Sequence, residues 1–158
     1  MKHYIITAVL SLLPIAELRG AIPYAILNDI PLVSAFILSV ALNACVGPIV
    51  YVFLSTLHKL LSRMEWYTRI FDKLIARARR RLQEKVERFG YWGIIIFVAI
   101  PLPITGAYTG TLGAWILGME KKKTFLAVLA GVIIAGILVS LVTLFGIETL
   151  SFFIKGSS

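Results

Sequence analysis

Glu17 and Arg19 stand two residues apart in the stretch LPIAELRGAIP, and they are the only charged residues inside any apolar segment of the chain. At mid-membrane a charge on an ordinary spanning helix costs about 2.5–3.5 kcal/mol or more, so such residues face a cavity or a partner. Burial favours the neutral form of a carboxyl, which would let Glu17 bind and release a proton, and a guanidinium can hold an anionic headgroup through paired hydrogen bonds. A structural salt bridge is the competing reading, in which neutralising Glu17 would strand Arg19 and chiefly destabilise the fold. Asn43, in a later apolar run, could hydrogen-bond across to another helix or face a pathway. Thr105, Tyr108, Thr109 and Thr111 offer hydroxyls in the stretch TGAYTGT. His3 and His58 lie near segment ends and Cys45 stands alone, so neither a metal site nor a nucleotide-binding loop is expected. The expectation is therefore no metal, no cofactor and no enzyme, with Cys45 a small packing residue.

These groups sit where helices must break. Phe89 to Met119 is a run of 31 uncharged residues interrupted by Pro101, Pro103 and Gly106, with Gly110 just beyond. As one straight helix it would measure about 46 Å, well beyond a hydrocarbon core of about 30 Å. Arg88 precedes it and Lys121, Lys122 and Lys123 follow it, and Lys and Arg beside membrane segments mark the cytoplasmic side. Both ends want the same side, which predicts a re-entrant hairpin of two half-helices with Pro and Gly at the tip. A single tilted, Pro-kinked span would leave one basic cluster on the wrong side. The first segment, Tyr4 to Leu27, carries Pro14, Gly20 and Pro23 around Glu17 and Arg19. Proline removes a ladder hydrogen bond and clashes with the preceding turn, so this segment too is either a hairpin or one broken span.

Between them, Ile30 to Leu57 and Thr124 to Ile147 are free of formal charge and long enough to cross a bilayer. Ala127, Gly131 and Ala135 recur every four positions on the second of these, a spacing that lets another helix approach closely within the protomer or in a dimer. From Ser62 to Phe89, apolar residues at Tyr67, Phe71, Leu74, Ala78, Leu82, Val86 and Phe89 keep helical spacing while Arg and Lys fall largely elsewhere. That pattern predicts an amphipathic helix on the cytoplasmic leaflet, or a solvated linker helix.

Composition agrees with a membrane protein of one domain. The chain has 158 residues, is 59% hydrophobic, and carries a formal charge of +8. Lys59 to Arg88 holds ten basic and four acidic residues and Glu120 to Lys123 three and one, so these two loops account for the whole excess. The positive-inside rule explains that charge without nucleic acid. No small-residue cleavage site follows the first apolar region, so it is expected to stay in the mature protein.

Shifted by 86 positions, Gly20 and Ala21 fall on Gly106 and Ala107, and Ala41 and Ala44 on Ala127 and Ala130. Each half then reads as a broken segment followed by a full span, one ending and the other starting in the cytoplasm, so the repeats would be inverted. The repeat favours the hairpin for residues 4–27. The expected architecture is an all-α integral membrane protein: a first repeat over 1–57, a cytoplasmic amphipathic linker helix over 58–89, and a second inverted repeat over 90–150. Each repeat would be a re-entrant helical hairpin plus a transmembrane helix, with the linker and the loop 120–123 in the cytoplasm.

The motifs PIAELRGAIPYAI and IPLPITGAYTGTLGAWILGM resemble those of the small multidrug export protein family, and more distantly the two-hairpin plan resembles the DedA or VTT superfamily. The first resemblance implies export and the second implies movement of lipid-phosphate carriers or phospholipids across the cell membrane. Thr105 to Gly110 lacks the arginine that relatives of the second kind often place in this hairpin. The expected function is a secondary transporter or lipid translocase, coupled to protons through Glu17, with substrate at Arg19, Asn43, Thr105, Tyr108 and Thr109. Membrane lipid, a small-molecule or lipid-phosphate substrate and a second copy of the chain are the expected partners. The alternative is a scaffold or assembly factor acting through its basic helix.

Overall fold

Proline places the first break. Leu13, which precedes Pro14, is extended (φ −78°, ψ 133°), because the proline ring excludes the helical region for the residue before it. In the computed structural model, helix α1 (Lys2–Leu12) therefore stops there. The chain turns over four residues and resumes as α2 (Glu17–Leu27), which packs against α1. Near the open end, His3 Nδ1 lies 3.1 Å from the Tyr24 hydroxyl, so the two helices are antiparallel. The structure describes residues 1–64, 68, 69, 71–73, 76, 89–102 and 105–155, with the side chains of 148–155 excepted. All its described regular elements are helices.

A tight cap turns α2 into the next helix. The Ile30 amide donates to the Ala25 carbonyl at 3.0 Å and the Asp29 amide to the Ile26 carbonyl at 3.2 Å, with Asp29 in the left-handed region at φ 61°. This is a Schellman motif, and the accompanying apolar contact is present: Ile30 clusters with Ala25 and Ala35. Helix α3 (Leu32–Leu61) follows at once; its 30 residues span about 45 Å, and Pro48 lies within it.

The same succession recurs. A short apolar helix α4 (Phe89–Ala99) ends before Pro101, and α5 (Ala107–Ile116) follows. The Tyr91 hydroxyl, near the start of α4, accepts the amide of Glu120, just past α5, at 3.2 Å, which makes this pair antiparallel as well. A second Schellman motif closes α5: the Met119 amide donates to the Ala114 carbonyl at 3.0 Å, the Gly118 amide to the Trp115 carbonyl at 3.0 Å, and Gly118 has φ 69°. Helix α6 (Lys121–Lys155) begins directly afterwards. Asp29 to Gly118, Ile30 to Met119 and Leu32 to Lys121 are each 89 positions apart, so the helix ends recur at 89 and not at the 86 suggested by matching Gly20 to Gly106. In the register of the caps, Glu17 corresponds to Gly106 and Arg19 to Tyr108.

Two compact units divide these elements. The first joins Met1–Asn43 to the part of α6 from Ile133 on; the second is Ala44–Val132. In the first, Gly136 gives α6 its close approach to α3, since a Cβ there would come within 2.8 Å of Val40 Cγ2. In the second, Gly131 brings α6 onto α4, where a Cβ would meet Val98 Cβ at 2.6 Å and the Ile95 carbonyl oxygen at 2.9 Å. Gly110 likewise seats α5 on Val98 of α4. Ala127 and Ala135 are buried, so the small-residue stripe serves packing within the chain. Cys45 is exposed, which corrects its reading as a packing residue.

Helices α3 and α6 are long and apolar enough to cross a membrane. Large apolar side chains such as Ile37, Phe53, Leu126 and Val142 stand exposed along them, a surface suited to lipid and unsuited to water. Most of the expected amphipathic helix over 62–89 lies outside the described residues. Phe71 is described, and it stacks against His58 with ring centroids 4.4 Å apart.

Candidate functional site at the hairpin tips

The connection between α1 and α2 holds Glu17 in an unusual state. Its backbone lies in the left-handed region, φ 47°, which strains any residue with a Cβ by about 1–2 kcal/mol. The side chain is 4% exposed. Arg19, one half-turn further on and half-buried, interacts electrostatically with it. Pro23 has no N–H to give the Arg19 carbonyl, so that ladder hydrogen bond is not made within α2. Gly20 keeps close contact with the turn: its amide donates to the Ala16 carbonyl at 3.0 Å, and a Cβ there would come 3.1 Å from that of Ala16. Pro14 and Ile15 are exposed at the apex, Ile15 almost completely at 99%.

Asn43 braces this tip from α3. Its Nδ2 donates to the Ser11 carbonyl at 3.0 Å, an acceptor in the last turn of α1 that the break at Pro14 deprives of its helical donor. Asn43 is fully buried, and its Oδ1 has no hydrogen-bond partner. Ser39, one turn earlier on α3 and also fully buried, has an unpartnered hydroxyl as well. Thr7 and Ser11 satisfy themselves, each donating to the carbonyl four residues back at 2.8 Å. In this unit the structure thus brings a carboxyl, a guanidinium and an amide to one end of one helical hairpin.

The α4–α5 connection is built differently. Thr105 Oγ1 lies 2.8 Å from the Ile100 carbonyl and 2.9 Å from the Leu102 carbonyl, so its proton caps the end of α4. Thr109 Oγ1 accepts the Gly106 amide at 3.0 Å and caps the start of α5. Both hydroxyls are thus engaged with the loop's own backbone. Tyr108 is half-buried, Pro101 is exposed, Gly106 and Gly110 are buried, and Pro103 lies outside the described residues. Along α4 and α5 runs an apolar groove of about 450 Å³ lined by Gly93, Phe97, Thr109, Gly110 and Gly113 among others. Among the described residues no cluster of three or more His, Cys, Asp or Glu side chains occurs.

Sequence reasoning found Glu17 by its charge but not by its backbone. The left-handed residue has no sequence signature beyond a short turn after Pro14. Asn43 was found, and its partner Ser11 was not, because a helix-end carbonyl becomes visible only once the helix end is placed.

A buried carboxyl and a half-buried guanidinium at the break of an apolar helical hairpin, in a chain that also has two long apolar helices, are features of membrane transport proteins. The sequence matches the family described as "Putative small multi-drug export protein" over residues 17–138, which begins at Glu17 itself. The chain belongs to that family. It is a helical membrane protein of transporter type. No curated protein and no solved structure matches it.

Proposed function

We propose that this member of the small multi-drug export family is a secondary transporter or lipid translocase of the cell membrane, coupled to protons through Glu17, and not an enzyme. In this reading α1–α2 and α4–α5 are re-entrant hairpins of two inverted repeats. Arms of 10 or 11 residues measure about 16 Å, close to half of a hydrocarbon core of about 30 Å, while α3 and α6 cross it. The basic linker and the lysines at 121–123 lie in the cytoplasm. Broken backbone in lipid must be buried in protein, so a second copy of the chain completes the assembly.

The observation that carries the proposal is Glu17: a carboxyl 4% exposed, in a strained backbone conformation, at the apex between two half-length helices. Strain of this kind is retained where the surroundings hold it, and it clusters at working sites. Arg19 would hold an anionic substrate group in one state and pair with Glu17 in the other.

Efflux tests this against the scaffold alternative. Cells expressing the wild type, Glu17→Gln, or a triple Arg79→Gln, Arg80→Gln, Arg81→Gln variant are loaded in turn with a lipophilic cationic dye and a fluorescent short-chain lipid phosphate. The transporter reading expects efflux of one substrate class that Glu17→Gln abolishes at unchanged expression and the triple variant leaves largely intact. The reverse pattern would favour the scaffold.

A further inference from the structure

Past α3 the chain doubles back within the second unit. The Ser62 amide donates to the His58 carbonyl at 2.8 Å, the Met64 amide to the Leu61 carbonyl at 2.9 Å, and the Thr68 amide to the Met64 carbonyl at 3.2 Å. Phe71 returns to the end of α3, where its ring lies against His58 with centroids 4.4 Å apart. Trp115 of α5 meets both rings edge-on, 5.8 Å from Phe71 and 5.6 Å from His58. We propose that Phe71 is a releasable latch, seated against His58 and Trp115 when the start of the basic linker is docked and drawn out of that seat by an anionic lipid surface. The inference uses the membrane character of the chain and neither Glu17 nor transport, so it stands or falls apart from the function proposed above.

The seat is built without the latch. Trp115 Nε1 donates to Ser55 Oγ at 3.1 Å, and that hydroxyl in turn donates to the Tyr51 carbonyl at 2.8 Å. The indole is thus oriented from α3, about one turn before His58, by a bond in which Phe71 takes no part. A phenyl ring has no hydrogen-bonding group, so the Phe71 side chain is held by packing. Rings at these separations with tilted or edge-on planes attract one another. Held in this way, Phe71 can leave without stranding a polar partner, which is what a latch requires.

The face that carries Phe71 has a second place to go. Tyr67, Phe71, Leu74 and Ala78 keep helical spacing, and an apolar face of that kind, flanked by basic residues, lies in the headgroup boundary of a bilayer. A ring packed on His58 and Trp115 is not in lipid, so the two seats exclude each other. Charge decides between them. Lys59 and Arg63 after the aromatic end of α3, and Arg69 and Lys73 on either side of Phe71, are all exposed; Asp72 is an exposed acid among them. Docking folds one cationic stretch back beside another, whereas an anionic leaflet attracts each of these cations. A neutral surface offers no such attraction and leaves Phe71 in its seat.

Acrylamide quenching of Trp115 emission tests this, in a Trp66→Phe, Trp92→Phe background reconstituted in nanodiscs of phosphatidylcholine alone or of equal parts phosphatidylcholine and phosphatidylglycerol. Phe71 should shield the indole in the neutral nanodisc, and quenching should rise in the anionic one. Phe71→Ala should show the higher quenching in both. Arg69→Gln with Lys73→Gln leaves all three rings in place and removes two charges that the leaflet attracts, so the ratio of released to docked chain in anionic lipid should fall by up to about thirtyfold. That variant keeps the test open if Phe71→Ala misfolds. Added salt should act in the same direction. Quenching that is equal in the two lipids or lower in the anionic one, or a lipid-dependent rise that persists in Phe71→Ala, would overturn the inference.

Discussion

The side-chain amide of Asn43 donates to the backbone carbonyl of Ser11 across 3.0 Å, tying the middle of α3 to the broken end of α1. A helix that ends at a proline leaves carbonyls without donors, and a single amide from a neighbouring helix supplies one. Asn43→Leu should therefore lower stability by about 1–3 kcal/mol, because it leaves a buried carbonyl unsatisfied. Asn43→Asp should also destabilise, since burial makes the carboxyl either stay protonated, at a cost as pH rises, or face the carbonyl as a carboxylate that cannot donate. Thermal unfolding in detergent measures both, and a melting temperature equal to that of the wild type would show that the contact contributes nothing.

Glu17 separates backbone from side chain. Glycine adopts φ 47° without a Cβ penalty, so Glu17→Gly should recover about 1 kcal/mol of backbone strain while removing the carboxyl. Glu17→Gln keeps the strain and removes only the charge. The transport account expects both to be inactive, with the glycine variant the more stable of the two. An active glycine variant would take the proton role away from Glu17.

The two caps make a paired prediction. Asp29 and Gly118 hold the same left-handed position, φ 61° and 69°, in equivalent Schellman motifs. Asp29→Gly should stabilise by up to about 1 kcal/mol and Gly118→Ala should cost about as much. Opposite shifts in melting temperature check the equivalence; shifts of the same sign would break it.

Close packing around α4 is the most sensitive to size. Gly131→Ala would press a methyl against Val98 and the backbone of Ile95, which cannot turn aside, so about 1–3 kcal/mol should be lost. Gly113 faces open space within 4 Å, and Gly113→Ala should be neutral or stabilising through helix propensity. Comparing the two variants in one unfolding series separates crowding from propensity.

Much of this was legible in the sequence, and the reasons differ by element. The break at Pro101 showed because a run of 31 uncharged residues is too long for one crossing, and the break at Pro14 because proline excludes the helix before it. The long helices α3 and α6 showed because charge-free runs of that length have few other uses. Matching glycine and alanine suggests a shift of 86 because such identities are cheap in apolar helices, whereas the helix ends recur at 89 through caps that depend on backbone angles. Thr105 and Thr109 read as free hydroxyls for a substrate, and both are engaged in capping helix ends beside the proline break. That the buried hydroxyls of Thr111 and Thr124 have no hydrogen-bond partner is a property of the fold and leaves no mark on the chain.

Proton movement through Glu17 is the claim on which the functional account turns. Proteoliposomes loaded with a pH-sensitive dye, containing wild type or Glu17→Gln, would be exposed in turn to polyprenyl phosphate, short-chain phospholipid and cationic drugs. The account predicts acidification or alkalinisation driven by one of these classes in the wild type and none in the variant, at equal incorporation and melting temperature. Substrate-driven flux that persists in Glu17→Gln would contradict it.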